Sequence, residues 1–85
     1  MFIHIGNNNT VLVKDIIAIL DKDTVESSET TKNFIERLIK KGLLFNFEDK
    51  EIKSYVIIGS DNKNSKYGLY TSSISSQALY QRINR

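Results

Sequence analysis

The 85-residue chain contains no cysteine and no proline, and only one histidine and four glycines. Without cysteine there is no disulfide, no thiolate nucleophile and no thiolate metal ligand. That absence is compatible with the reducing cytoplasm, where such a chain is expected to reside. The single histidine, His4, lies between Ile3 and Ile5. Such a strand position suits a structural or surface residue better than an acid–base catalyst. The glycines form no phosphate-cradling pattern. No apolar run approaches the length of a membrane span, and no charged-then-apolar leader opens the chain. Together these absences lead us to expect a non-enzymatic protein with no cofactor, no metal, no small-molecule substrate and no membrane partner.

What is present begins with Phe2 to Asp21, a stretch dominated by apolar residues that favour strands. Phe2, Ile3 and Ile5 read as a first strand, Gly6 to Asn9 as a turn tolerating positive φ, and Thr10 to Val13 as the returning strand. Lys14 and Asp15 punctuate the run before Ile16 to Leu20, which is short and wholly apolar, as in a buried strand. A single domain spanning 1–85 fits this length. It buries only about 60–65% of its unfolded surface, which favours bracing by oligomerisation. We therefore expect other subunits to supply part of the cover for Ile16 to Leu20.

Asp21 to Thr31 is polar and acidic, and reads as a loop leading to a helix. Ser27, Ser28 and Thr30 are candidate N-caps. Phe34, Ile35, Leu38 and Ile39 recur at helical spacing, Lys40 and Lys41 suit a last turn, and Gly42 suits a stop, giving a helix over about 28–41. Leu43 to Phe47 then reads as a short strand and Glu48 to Glu51 as a turn. Ile52 to Gly59 and Lys66 to Thr71 read as two arms of a hairpin joined by the polar loop 60–65. Ser72 or Ser73 is expected to cap a final helix ending near Ile83. The expected class is α+β: a small single domain with a twisted, mainly antiparallel sheet and two helices, assembling into a symmetric oligomer. Helices separated by strands argue against a helix-turn-helix.

Net charge is +2, but it is unevenly spread. Residues 15–29 hold five acids against Lys22, whereas residues 30–85 hold ten cations against five acids. From Asn62 onward there are Lys63, Lys66, Arg82 and Arg85 and no acid. Symmetric assembly would multiply such asymmetry into a continuous positive surface. Asp21 and Asp23 lack the rest of a calcium loop and read as charges before and within a helix. Ser72, Ser73, Ser75 and Ser76 have no adjacent base and read as caps and helix-surface hydroxyls. Lys40 and Lys41 are accounted for by the helix C-terminus. Tyr67, Tyr70 and Tyr80 read as packing residues rather than platforms for bases.

Several blocks resemble one family in order and spacing. M-F-I-H-I-G followed by V-K-D-I-I-A-I-L-D, then K-E-I-K-S-Y-V-I-I, then Y-T-S-S-I-S-S-Q-A-L-Y-Q-R-I, are similar to the small bacterial extracellular-matrix regulators of the RemA/RemB type. The opening hexapeptide is nearest the RemB branch. The likeness covers most of the chain and is weakest over 22–32. It implies a transcriptional regulator of extracellular matrix and biofilm genes, binding duplex DNA through basic residues on an oligomeric ring. It also implies that Lys14, Lys50 and Lys53 stand at the family's basic positions. Here the sequence departs from the arginine-rich RemA pattern, since Glu51 separates two lysines. Lysine is a poorer bidentate partner than arginine for phosphate or guanine. The competing reading is a protein-interaction module, or a modulator of a DNA-binding paralogue, with no DNA binding of its own.

Overall fold

The computed structural model of the chain describes residues 1–6, 8–46, 50–59 and 66–84. Strands β1 (Phe2–Gly6) and β2 (Asn9–Leu12) pair antiparallel, with Ile3 opposite Val11. Gly6 (φ 107°) and Asn8 (φ 64°) take the left-handed backbone expected of this turn. A single 3-10 turn, Val13–Asp15, leads into β3 (Ile16–Asp21). Strand β4 (Ser54–Gly59) lies between β3 and β5 (Tyr67–Ser72), antiparallel to both. Asp21 stands opposite Ser54, and Ser54 opposite Ser72. The α+β class and antiparallel pairing agree with the sequence reading.

Alternation along β4 divides the interior into two cores. Val56 joins Ile3, Ile5, Val11, Ile19 and Leu79, beneath the β1–β2 hairpin and the helix α3 (Ser76–Ile83). Ile57 joins Val25, Ile35, Leu38, Leu43 and Leu69, beneath the helices α1 (Lys22–Ser27) and α2 (Glu29–Lys40). The sheet is thus the middle of three layers. The chain itself covers both faces of β3, with Ile19 packed on one and Ala18 and Leu20 on the other. Ile19 is buried there, whereas Ile16, Ala18 and Leu20 are half-buried. Ile17 is the exception. Ile16 faces Ile58 and Ala18 faces Ile57, so Ile17 is the additional residue of a bulge and is 55% exposed.

Three sequence expectations need correction. The acidic stretch after Asp21 is helical from Lys22 to Ser27, so the described residues form three helices rather than two. Val25 is the buried anchor of α1, and one apolar residue in six gives no periodicity to read. Asp21 caps this helix by accepting from the Asp23 N–H at 3.0 Å. Only Ser28 then separates α1 from α2, so the helices are not all separated by strands. A helix-turn-helix needs a turn of three or four residues, whereas here Ser28 ends one helix and caps the next, accepting from the Thr31 N–H at 3.3 Å. Finally, Ser75 rather than Ser72 or Ser73 caps α3, accepting from the Ala78 N–H at 3.2 Å.

The segment after α2 is less regular than a strand. Gly42 (φ 74°) closes a Schellman turn: the Leu43 N–H donates to the Leu38 carbonyl and the Gly42 N–H to that of Ile39, both at 3.0 Å. Leu44 then makes one parallel bridge to Leu69 on the outer edge of β5. Asn46 extends this contact by using its side-chain amide as a substitute peptide. Its Oδ1 accepts from the Thr71 N–H at 2.9 Å, and its Nδ2 donates to the Thr71 carbonyl at 2.8 Å. Phe45 fills the space where Gly68 has no side chain, and its ring meets Tyr70 edge-on. Phe47 and the expected turn and loop at 48–49 and 60–65 lie outside the described residues.

Helix α3 closes outer strand edges. The Tyr80 hydroxyl donates to the Ile19 carbonyl on β3 at 3.0 Å, and Arg82 Nη1 donates to the His4 carbonyl on β1 at 2.6 Å. Tyr67 meets Phe34 edge-on, so all three tyrosines singled out in the sequence have packing or bonding partners within the chain.

Candidate nucleic-acid interface

Lys53 immediately precedes the central strand, and its backbone is tied on both sides. Its N–H donates to the Ser72 carbonyl at 2.8 Å, and its carbonyl accepts from the Lys22 N–H at 3.0 Å. The residue is rigidly placed and its side chain is exposed, as is that of Lys50 three residues earlier. Lys53 borders a cleft of about 220 Å³, lined also by Asp21, Lys22, Asp23, Glu51, Ile52 and Ser75. Three carboxylates and two ammoniums line this cleft, so a phosphate entering it meets more acids than cations.

Lys14 is exposed at the crest of the 3-10 turn, at the other end of the sheet. Ile16 pairs with Ile58 and Asp21 with Ser54, so β3 and β4 carry Lys14 and Lys53 away from each other. At about 3.3 Å per strand residue, five steps separate these ends by roughly 17 Å before either side chain is counted. The structure brings Lys50 and Lys53 to one end and sets Lys14 apart. Lys22 is a cation that sequence reasoning passed over as one charge within an acidic loop. Its place beside Lys53 follows from the β3–β4 register, which composition does not reveal.

A family model described as RemA-like, extracellular matrix regulatory protein A-like, matches residues 2–83. The chain belongs to that family. It is a family of regulatory proteins, and the match spans both cores and all eight regular strands and helices described above. Comparison with individual curated proteins gives no match.

In this RemA-like chain, the other residues weighed as sites take local roles. His4 is exposed on β1, and its carbonyl is the acceptor for Arg82. The open groove beside it, about 500 Å³, is lined by Phe2, Ile3, His4 and Arg82. Ser72 is fully buried, its hydroxyl donating to the Ile5 carbonyl at 2.6 Å and accepting from the Ile74 N–H at 3.0 Å. Among the described residues no group of three or more His, Asp or Glu side chains is placed to hold a metal ion. Nor, among them, is any helix long and apolar enough to cross a membrane.

Proposed function

We propose that this RemA-like chain, nearest the RemB branch by its M-F-I-H-I-G opening, is a non-enzymatic, cytoplasmic regulator of extracellular matrix and biofilm genes. It acts by binding duplex DNA as a homo-oligomer, without a cofactor. The observation that carries this reading is the family match over residues 2–83. Basic residues on the rim of an assembly meet the phosphates, Lys14, Lys50 and Lys53 among them. Two features favour assembly. Met1, Phe2 and Ile17 are 69%, 67% and 55% exposed, which leaves apolar surface for a neighbouring subunit. In addition, the roughly 17 Å between the two sheet ends makes a continuous basic track more natural between subunits than within one. A head-to-tail ring sets the Lys14 end of one subunit beside the Lys53 end of the next.

The test is fluorescence anisotropy of labelled duplex DNA at low and near-physiological salt. Binding that falls steeply with salt reports several phosphates neutralised together, which an oligomer supplies and one subunit's three lysines do not. No binding at low salt would refute the reading. Lys50→Glu with Lys53→Glu is expected to abolish binding while the oligomer stays intact by sedimentation, and retained binding moves the contact to the other end of the sheet. The mixed charge around Lys53 favours a second reading, a protein-interaction module that modulates a DNA-binding paralogue. That reading expects an oligomer or hetero-oligomer with no salt-dependent DNA affinity.

A further inference from the structure

The end of the sheet that carries Lys14 gathers cations from three separate parts of the chain. Ile58 pairs with Ile16 on one side and with Gly68 on the other, so the starts of β3 and β5 lie at the same end. Lys66 immediately precedes β5 there. The segment after α2 runs parallel to β5 with an offset of 25, seen both in Leu44 beside Leu69 and in Asn46 beside Thr71. The Leu69 N–H donates to the Leu43 carbonyl at 3.0 Å and Phe34 of α2 meets Tyr67 edge-on, so α2 ends near the start of β5, with Lys40 in its last turn and Lys41 as its C-cap. Across the sheet, Lys14 and Lys66 stand at the ends of β3 and β5, two strand spacings of about 4.8 Å or roughly 10 Å apart, with Lys41 near the β5 side.

Lys14, Lys40, Lys41 and Lys66 all have exposed side chains. Among the described residues at this end, Asp15 opposes them, while Glu36 and Arg37 one turn back along α2 cancel each other. Among the described residues at the opposite end, Lys22, Lys50 and Lys53 stand against Asp21, Asp23 and Glu51, with no net charge. Glu29 stands at the start of α2, about 17 Å from Lys40 along the helix axis. The field is therefore polar along the sheet, positive where β3 and β5 begin.

Resting on the proposed DNA-binding role, we infer that Lys66 and Lys41, together with Lys14, form a second phosphate-contacting row of this chain, added to the contact at Lys50 and Lys53. Phosphates recur every 3.4 Å of axis along one DNA strand, so a row of about 10 Å faces about three of them. Lys40 and Lys41 also suit a helix C-terminus, but that role leaves their ammonium groups in solvent and adds to the same field.

The test measures DNA affinity against salt for the full chain and for Lys41→Gln with Lys66→Gln, with Lys32→Gln on the first turn of α2 as the control for simple loss of charge. The expected result is a log–log salt slope shallower by about two in the double variant and unchanged in Lys32→Gln, with the sedimentation profile of the wild type retained. Wild-type binding with an unchanged slope in the double variant overturns the row and leaves the DNA-binding role standing. Weaker binding that comes with a broken oligomer at unchanged slope also overturns it, and assigns this end to contacts between subunits. A wild type that binds no DNA refutes the underlying role, and the row with it.

Discussion

On one face of the three-stranded sheet, α1 and α2 are seated by apolar contact: Val25, Ile35, Leu38 and Leu43 against Ile57 and Leu69. On the other, the hairpin and α3 are seated by apolar contact and fastened by two serine hydroxyls. Ser72 bonds the Ile5 carbonyl and the Ile74 N–H, and Ser54 donates to the Ile74 carbonyl at 2.7 Å. Apolar contact is tolerant of small shifts, because it depends on area and volume. Hydroxyl bonds are directional and fail within a fraction of an ångström. The helical layer can therefore settle in graded ways, whereas the hairpin layer is keyed to one position on the sheet.

The largest effect that bears on this difference is loss of core volume. Leu79→Ala, at a fully buried position beneath the hairpin, is expected to destabilise by about 2–5 kcal/mol in urea melts. Leu38→Ala in the helical layer should fall in the same range, because the apolar part of the two interfaces is alike. Next comes the key itself. Ser72→Ala leaves the Ile5 carbonyl and the Ile74 N–H without their partner and should cost about 1–3 kcal/mol. If it is neutral, the two layers are held by the same means and the contrast fails. The smallest effect is Ser28→Ala, expected to cost about 1 kcal/mol through the lost cap on α2. A larger loss would mean that the α1–α2 junction is keyed after all.

The features that could be read from the sequence were those with a local pattern. A buried apolar run marked β4, the polar loop between two arms marked its pairing with β5, and the spacing of Phe34, Ile35, Leu38 and Ile39 marked α2, with Gly42 as its stop. Helix α1 was missed because Lys22 to Ser27 has no apolar period, although Asp21 before it and Asp23 in its first turn are the start signals that a cap-first search would have found. Leu43 to Phe47 was read as a full strand because Leu43, Phe45 and Phe47 alternate. Backbone bonds hold it to β5 only around Leu44, and a side-chain amide takes over at Asn46. The candidate site was legible by residue and not by arrangement. Resemblance singled out Lys14, Lys50 and Lys53, yet only the antiparallel register reveals that Lys14 faces away from the other two. In the same way, Lys41 and Lys66 come to the same end of the sheet only through the pairing of Leu44 with Leu69.

The way α3 occupies strand edges has a consequence for the fate of the chain in a cell. The Tyr80 hydroxyl and the Arg82 guanidinium hold carbonyls that would otherwise face outward from β3 and β1. Cleavage ahead of Ser76 would thus do more than shorten the protein. It would bare two adhesive ladders beside an opened apolar core, the template on which strands from other copies add and grow into aggregates. For a molecule whose proposed work depends on measured association with its own kind, the last helix is the safeguard that separates assembly from precipitation.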